Sequence, residues 1–256
     1  MSIQRNAQAF YLSSSLSTTG TSHDLEAESA TNLLLDTLLV QNTGATDIIA
    51  EVTSITLMGQ SLNASSASFP ACAFYSDNNY AMEGVSALGL SIGQNNKFAM
   101  SITSVGTASA TAPVAFSIST EPTDIVLSPN ESGSNISYLF GMGKVNLPAG
   151  GTATLQATCL RDNVFLGRLV MGQSGTSDNA VQITSIKVDG IELLSAVNPT
   201  ATPTPMSVFS RSSFDRSGLQ ANYICSQNSI VSISLKSTHG ADAVDVVAGF
   251  FCKPIA

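Results

Sequence analysis

A chain of 256 residues, 43% of them apolar, has room for one large domain or two ordinary ones and is too apolar for disorder. Only 11% of residues are charged, against about 25% in an average globular domain, and the net charge is −8 with no cluster of Lys or Arg. A broad phosphate-binding footprint is therefore excluded, and direct packaging of nucleic acid is not expected.

In chain order, residues 1–12 read as a polar N-terminal arm with one charge, Arg5; neither a secretory signal nor a membrane-length apolar run is expected. An apolar run at Asn32–Leu38 and a turn around Gly44 and Asp47 precede Ile48–Leu57, whose partial period-two alternation predicts a strand. Tyr80–Leu90 is the one stretch allowed a short helical turn. Phe98, Met100 and Ile102 alternate as in a half-buried strand. Ser128–Asn135 has the composition of a linker. Beyond it, strands are predicted over about 136–146, 151–160, 164–172, 180–194, 205–210, 219–225, 229–237 and 243–252. Asn198–Pro205, rich in Pro, reads as an exposed loop within this half.

The two halves resemble each other at an offset of 131 residues. Thr53-Ser54-Ile55 recurs as Thr184-Ser185-Ile186, Gly44 as Gly175, Asp47 as Asp178, and Phe98–Ile102 falls against Ser229–Ile233. From residue 16 to 110 there are 20 identities in 95 ungapped positions, where composition alone gives roughly seven. The predicted architecture is all-β: two tandem β-sandwich, jelly-roll-like domains from an internal duplication. Residues 1–130 form the first, with its short arm, and 131–256 the second. Eight short strands per unit is the jelly-roll count. The absence of Trp and of a Cys–Trp–Cys spacing argues against an immunoglobulin-like sandwich.

No chemistry is legible in the side chains. The two histidines, His23 and His239, fall in polar loop sequence, and neither recurs in the other half; no G-x-S-x-G elbow is present, so no catalytic residue is assigned and the chain is not expected to be an enzyme. No metal or cofactor motif occurs: Asp47 and Asp178 read as turn residues, and Gly141–Lys144 lacks the Ser/Thr and the earlier Gly of a phosphate loop, so it is expected to open the first strand of the second half. Cys72, Cys159, Cys225 and Cys252 do not recur at the offset and read as reduced, mostly buried thiols of a protein made in a reducing cytoplasm. Asn63, Asn130 and Asn135 begin N-x-Ser triplets that read as accidents of composition. Charge is uneven: residues 1–131 hold two basic and 11 acidic residues (−9), and 132–256 hold eight and seven (+1).

Duplicated sandwiches of jelly-roll size, few charges and no discernible active site resemble the double jelly-roll major capsid proteins of tailless, membrane-containing bacteriophages. The resemblance implies a structural protein of the virion, synthesised in the host cytoplasm. In that family three copies associate as a homotrimer whose six sandwiches imitate a hexagon in an icosahedral shell, with other virion proteins and an internal membrane as further partners. The alternative reading is a tandem β-sandwich surface module that binds a receptor or carbohydrate, as in a spike, decoration or adhesin protein.

Overall fold

The computed structural model describes residues 6–16, 22–28, 33–40, 49–74, 87–105, 110–120, 138–174, 180–194, 203–209 and 220–255. Nine strands come from the first half: β1 (Asn6–Leu16), β2 (Ser22–Glu28), β3 (Leu33–Val40), β4 (Ile49–Leu57), β5 (Gln60–Ser61), β6 (Phe69–Pro70), β7 (Ala87–Ile92), β8 (Lys97–Val105) and β9 (Ala110–Thr120). The second half supplies β10 (Tyr138–Leu147), β11 (Thr152–Thr158), β12 (Val164–Gln173), β13 (Val181–Val188), β14 (Ile191–Glu192), β15 (Thr204–Pro205), β16 (Gln220–Cys225), β17 (Ile230–Ser237) and β18 (Val244–Pro254). All named strand pairs are antiparallel.

The chain is all-β, in β-sandwich form. One sheet of the first half runs β1-β9-β3-β7 and the other β2-β8-β4-β5, with β6 also on β4; the second half repeats this as β10-β18-β12-β16 and β11-β17-β13-β14, with β15 on β13. In the first half the chain alternates between the two sheets from β1 to β4, stays in one sheet through β5 and β6, and alternates again from β7 to β9, the double-sheet jelly-roll arrangement; the second half does the same. Local chemistry repeats too. Leu57 pairs with Gln60 and Val188 with Ile191 across two-residue turns, where Met58 and Gly59, then Asp189 and Gly190, all have positive φ. That is the type I′ geometry that matches strand twist, and Asp-Gly suits it better than Met-Gly. Both central strands are bulged at the same place, between Val52 and Ser54 and between Ile183 and Ser185. Because β5 and β14 are so short, a side chain extends each ladder: Ile55 N–H donates to Asn63 Oδ1 (3.1 Å) and Ile186 N–H to Glu192 Oε1 (3.0 Å).

The registers correct the single offset of 131. Ile55 faces Met100 while Ile186 faces Ile233, so Met100 corresponds to Ile233, 133 residues on, and Phe98 to Val231 rather than Ser229. Glu51 faces Pro70 and Gln182 faces Pro205, a spacing of 135 between the prolines, whereas Leu25 and Leu155 are 130 apart. The length differences fall in connections, where added residues cost little. Matches such as Ile102 with Ile233 therefore do not occupy equivalent places, although Thr53-Ser54-Ile55 and Thr184-Ser185-Ile186 do.

Several local expectations also change. The arm predicted over residues 1–12 is strand from Asn6 onward, because β1 pairs along its whole length with β9. The strand predicted over 180–194 is broken by the Asp189-Gly190 turn, and that over 205–210 is mainly a 3-10 turn, Met206–Phe209, matched by Ala71–Phe74 in the first half. Of the short helix allowed at Tyr80–Leu90, residues 87–90 belong to β7 and the rest lie outside the described residues. Gly141–Lys144 lies inside β10 rather than at its start, and His23 lies within β2 rather than in a loop. The linker Ser128–Asn135 and most of the Asn198–Pro205 loop lie outside the described residues.

Burial follows the pleat where one face is wet. In β17, Val231, Ile233, Leu235 and Ser237 are buried, and the residues between them are half-buried or exposed. Ile186 and Ile233, fully buried and directly opposed, anchor this core. Ile186→Ala is expected to cost about 3 kcal/mol of stability, read as a lower urea midpoint, because removing a buried aliphatic leaves a void as well as losing transfer energy; a change below about 1 kcal/mol would show that the site is not tightly packed.

Candidate assembly interface

The alternation breaks down in the β10-β18-β12 sheet. Tyr138–Met142 apart from Gly141, Leu169–Met171, and Val246–Cys252 apart from Gly249 are runs of buried side chains on successive positions, which requires cover on both faces. One face is the core of the second sandwich, where Phe140 meets Phe250 edge-on at 6.4 Å. The other is covered by the segment of the first sandwich that follows β5.

That segment binds through backbone. Leu139 N–H donates to Leu62 O (3.0 Å) and Ala64 N–H to Leu139 O (2.8 Å); Leu160 N–H donates to Ala64 O (2.9 Å), Ser66 N–H to Thr158 O (3.2 Å) and Gly143 N–H to Ser68 O (2.9 Å). The Ser65 hydroxyl donates to Gly141 O (2.6 Å). Bridges Asn63–Leu139, Ser65–Cys159 and Ala67–Gly141 set the register. Arg161 clamps the start of the seam: its guanidinium donates to the carbonyls of Ser61 and Asn63 and lies 4.0 Å over the Tyr138 ring. Glu51, buried on β4, accepts from the Ser68 hydroxyl and ties the segment back to its own sandwich.

Beyond Ser68 the contact turns apolar. Phe69 stacks against Phe74 (5.7 Å) and Phe251 (5.2 Å), and Phe74 against Phe251 (5.9 Å), geometries that favour edge and tilted ring pairs. Glycines make room for this approach. A Cβ at Gly249 meets Phe69 at 2.6 Å and Pro70 at 2.8 Å, one at Gly141 runs into the carbonyl of Ser68, and one at Gly172 meets Cys72 Sγ at 3.0 Å. Composition and motif reading missed this site. Its sequence signals are the unbroken apolar run Val246–Cys252 and the glycines at 141, 143, 172 and 249, both readable as two-sided burial and close backbone approach.

Outside the seam the halves differ in charge. Exposed positions of β2 carry Asp24, Glu26 and Glu28, with Lys97 on β8 bound to Glu26 at 2.5 Å. Through the register, Asp24 and Glu26 correspond to Thr154 and Gln156, and the second half instead exposes Lys187 and Lys236 on β13 and β17. The exposed large aliphatics named among the described residues, Leu160, Ile191, Ile224, Ile230 and Ile255, belong to the second sandwich. Four of them surround one end, where Asp189 N–H donates to Ile230 O, Asn228 N–H to Cys159 O and Ile255 N–H to Asn163 O.

The residues tested for chemistry remain dispersed. His23, in β2, faces Ile102, while His239 follows β17 in the other sandwich and its backbone N–H donates to Ser237 Oγ (3.1 Å). Asp47 and Asp178 lie outside the described residues, as do Asn130 and Asn135, whereas half-buried Asn63 is held in the seam and donates to Thr53 O (3.1 Å). Among the described residues no group of three or more His, Cys, Asp or Glu is placed to hold a metal, and no helix is long and apolar enough to cross a membrane. All four cysteines are buried thiols. Burial, with smaller effects from Cys159 and Asp189, pushes the Cys225 thiol up to about 12 from its ordinary 9.0, and burial raises Cys159 and Cys252 as well. In Glu192, burial works against the carboxylate but is outweighed by donors from Ser185, Ile186 and Leu194, leaving its pKa below the ordinary 4.5.

No family model matches the chain, and no curated protein matches it significantly. Among solved structures it is similar to a recombinant peptide:N-glycanase F (PNGase F), at 12% identity and a TM-score of 0.39 over 97% of each chain; a likeness that loose bears on neither fold nor function.

Two measurements check this description. Gly141→Ala, forced against the Ser68 carbonyl, is expected to lower stability by about 2 kcal/mol or more, whereas Gly240→Ala, with open space around it, stays within about 0.5 kcal/mol; equal effects in denaturant titrations would remove the seam's importance. The raised Cys225 pKa means that the folded state holds the proton more tightly than the unfolded chain. Its contribution is therefore complete below pH 9 and lost as pH rises toward 12. Urea midpoints should fall from pH 8 to pH 10.5, and less steeply in Cys225→Ala; parallel slopes would contradict the assignment.

Proposed function

We propose that this chain is a structural protein of a virion, a double jelly-roll shell subunit that acts by self-association as a homotrimer of pseudo-hexagonal outline. The observation that carries the reading is the edge-to-face seam, in which two sandwiches with the same strand order are joined by backbone hydrogen bonds and a shared aromatic cluster. An internal duplication accounts for the repeated strand order, bulges and turns. A subunit built this way presents six sandwiches in a trimer while its halves keep different surfaces for different neighbours. The low charge supports the same reading, since few ions must lose water when copies meet. On this reading the acidic β2 face of one copy lies near the Lys187 and Lys236 face of the next, and the apolar end of the second sandwich is offered to other virion components, a shell protein or a membrane surface.

Native mass by light scattering, followed by imaging of the same sample, tests the reading. A stable trimer with a six-lobed outline is the expected result; a strict monomer at micromolar concentration that joins no virion component would sink it and turn attention to receptor or glycan binding. Replacing Lys187 and Lys236 by Gln should weaken trimers at low salt and matter progressively less above about 0.5 M salt, where the Debye length is only a few ångströms.

A further inference from the structure

Two sandwiches on one chain ordinarily move against each other unless the surface between them is large and apolar. Here that surface is continuous with both cores. On β4, Val52 and Ile55 pair with Ile102 and Met100 of β8, all of them buried, and Val52 also pairs with Phe69 of β6. The Phe69 ring meets Phe251 of β18 at 5.2 Å, and the next residue on β18, Phe250, meets Phe140 of β10 inside the second sandwich. Buried residues of both halves, from Val52 to Cys252, thus form one hydrophobic core. Main-chain partners are shared as well. Parting the halves strips them from Leu62 O, Ala64 N–H and O, Ser66 N–H and Ser68 O on one side. On the other side Leu139 N–H and O, Gly143 N–H, Thr158 O and Leu160 N–H lose theirs.

We propose that the strap Ser61–Phe74 couples the two sandwiches into a single cooperative unit, in which neither core opens unless the other opens with it. The inference goes beyond the self-assembly reading and does not rest on it. Each half alone is short of a face. Without the first sandwich, the two-sided apolar runs of β10, β12 and β18 lose the cover on their outer side; without the second, the Phe69 and Phe74 rings lose Phe251. A state with one sandwich unfolded therefore still carries the ordering cost of the other while its seam surface faces water, which disfavours it against both the native and the fully unfolded chain. Nor does the seam loosen by degrees. Gly141 and Gly249 let the Ser68 carbonyl and the Phe69 ring approach where a Cβ would stand, and a gap of about 1 Å already forfeits up to half of such dispersion contacts. The subunit consequently moves as one rigid piece, and both sandwiches share one stability.

Native-state hydrogen exchange on the full chain, read by mass spectrometry, tests the coupling through substitutions in one sandwich and protection in the other. In the unmodified protein the slowest amides of β8 and of β17 should open at the same free energy. Ile186→Ala, in the second sandwich, should speed exchange in β8 by the same factor as in β17, about tenfold or more. Ile55→Ala, the matching change in the first, should do the same in reverse. Faster exchange confined to the sandwich that carries the substitution overturns the proposal, as does a denaturant titration with two transitions. Should an alanine variant not fold, Ile186→Val and Ile55→Val give smaller shifts of the same pattern, and a one-sided shift again counts against the coupling. Repeating the measurement at two protein concentrations separates this inference from self-assembly. Equal shifts at both, even in a strict monomer, support coupling within the chain; shifts that become one-sided on dilution assign it to contacts between copies and overturn it.

Discussion

The seam between Ser61–Phe74 and the β10-β18-β12 sheet is the constraint on which the remaining architecture depends. A short edge strand ends early in each sandwich and leaves backbone donors and acceptors that must find partners. In the first half they find them in the second sandwich: carbonyls of Leu62, Ala64 and Ser68 accept from Leu139, Leu160 and Gly143. Once the chain runs there, the outer face of the second sandwich cannot be wet. Its strands become apolar at consecutive positions, and glycine is needed wherever the incoming backbone or ring approaches within contact distance of a main chain.

The two halves therefore share a plan and differ in what covers them. Pleat, bulge and I′ turn are common to both, because they are set by pairing within each sandwich. Exposed residues have diverged: acidic at Asp24, Glu26 and Glu28, neutral at Thr154 and Gln156, basic at Lys187 and Lys236. For a self-assembling shell subunit, as proposed, such divergence is useful. Identical halves would accept any neighbour at any sandwich, whereas unlike surfaces restrict each contact to one register by penalising like charges and unfilled approaches.

The buried thiols and Glu192 show how little of the perturbed electrostatics needs a functional explanation. Cys159, Cys225 and Cys252 are shifted chiefly because they sit in apolar surroundings, as structural thiols do. The carboxylate of Glu192 is held ionised by three donors because it completes an edge ladder, a task Asn63 performs with a neutral amide in the other half.

Strand identity was legible in the sequence wherever only one face is buried: alternation along Ile230–Ser237 and Val181–Val188 is a local property that pairing preserves, whereas the Asp189-Gly190 turn was missed, one strand being expected over 180–194 where the pairing of Val188 with Ile191 breaks it. The resemblance between halves was legible for the same reason around Thr53–Ile55 and Thr184–Ile186. The gapless register was not, because connections of different length leave no trace in composition and only hydrogen-bonded partners reveal them. The arm expected at the N-terminus became strand β1 because β9, more than 90 residues away, supplies its ladder. Above all, the interface lay beyond local reading. That Phe69 and Phe251 are neighbours, that Arg161 holds the carbonyls of Ser61 and Asn63, and that Gly249 must lack a Cβ are facts about segments 98 to 182 residues apart along the chain. Which apolar run faces the core and which faces another sandwich is decided by packing, and packing exists only once both sandwiches are folded.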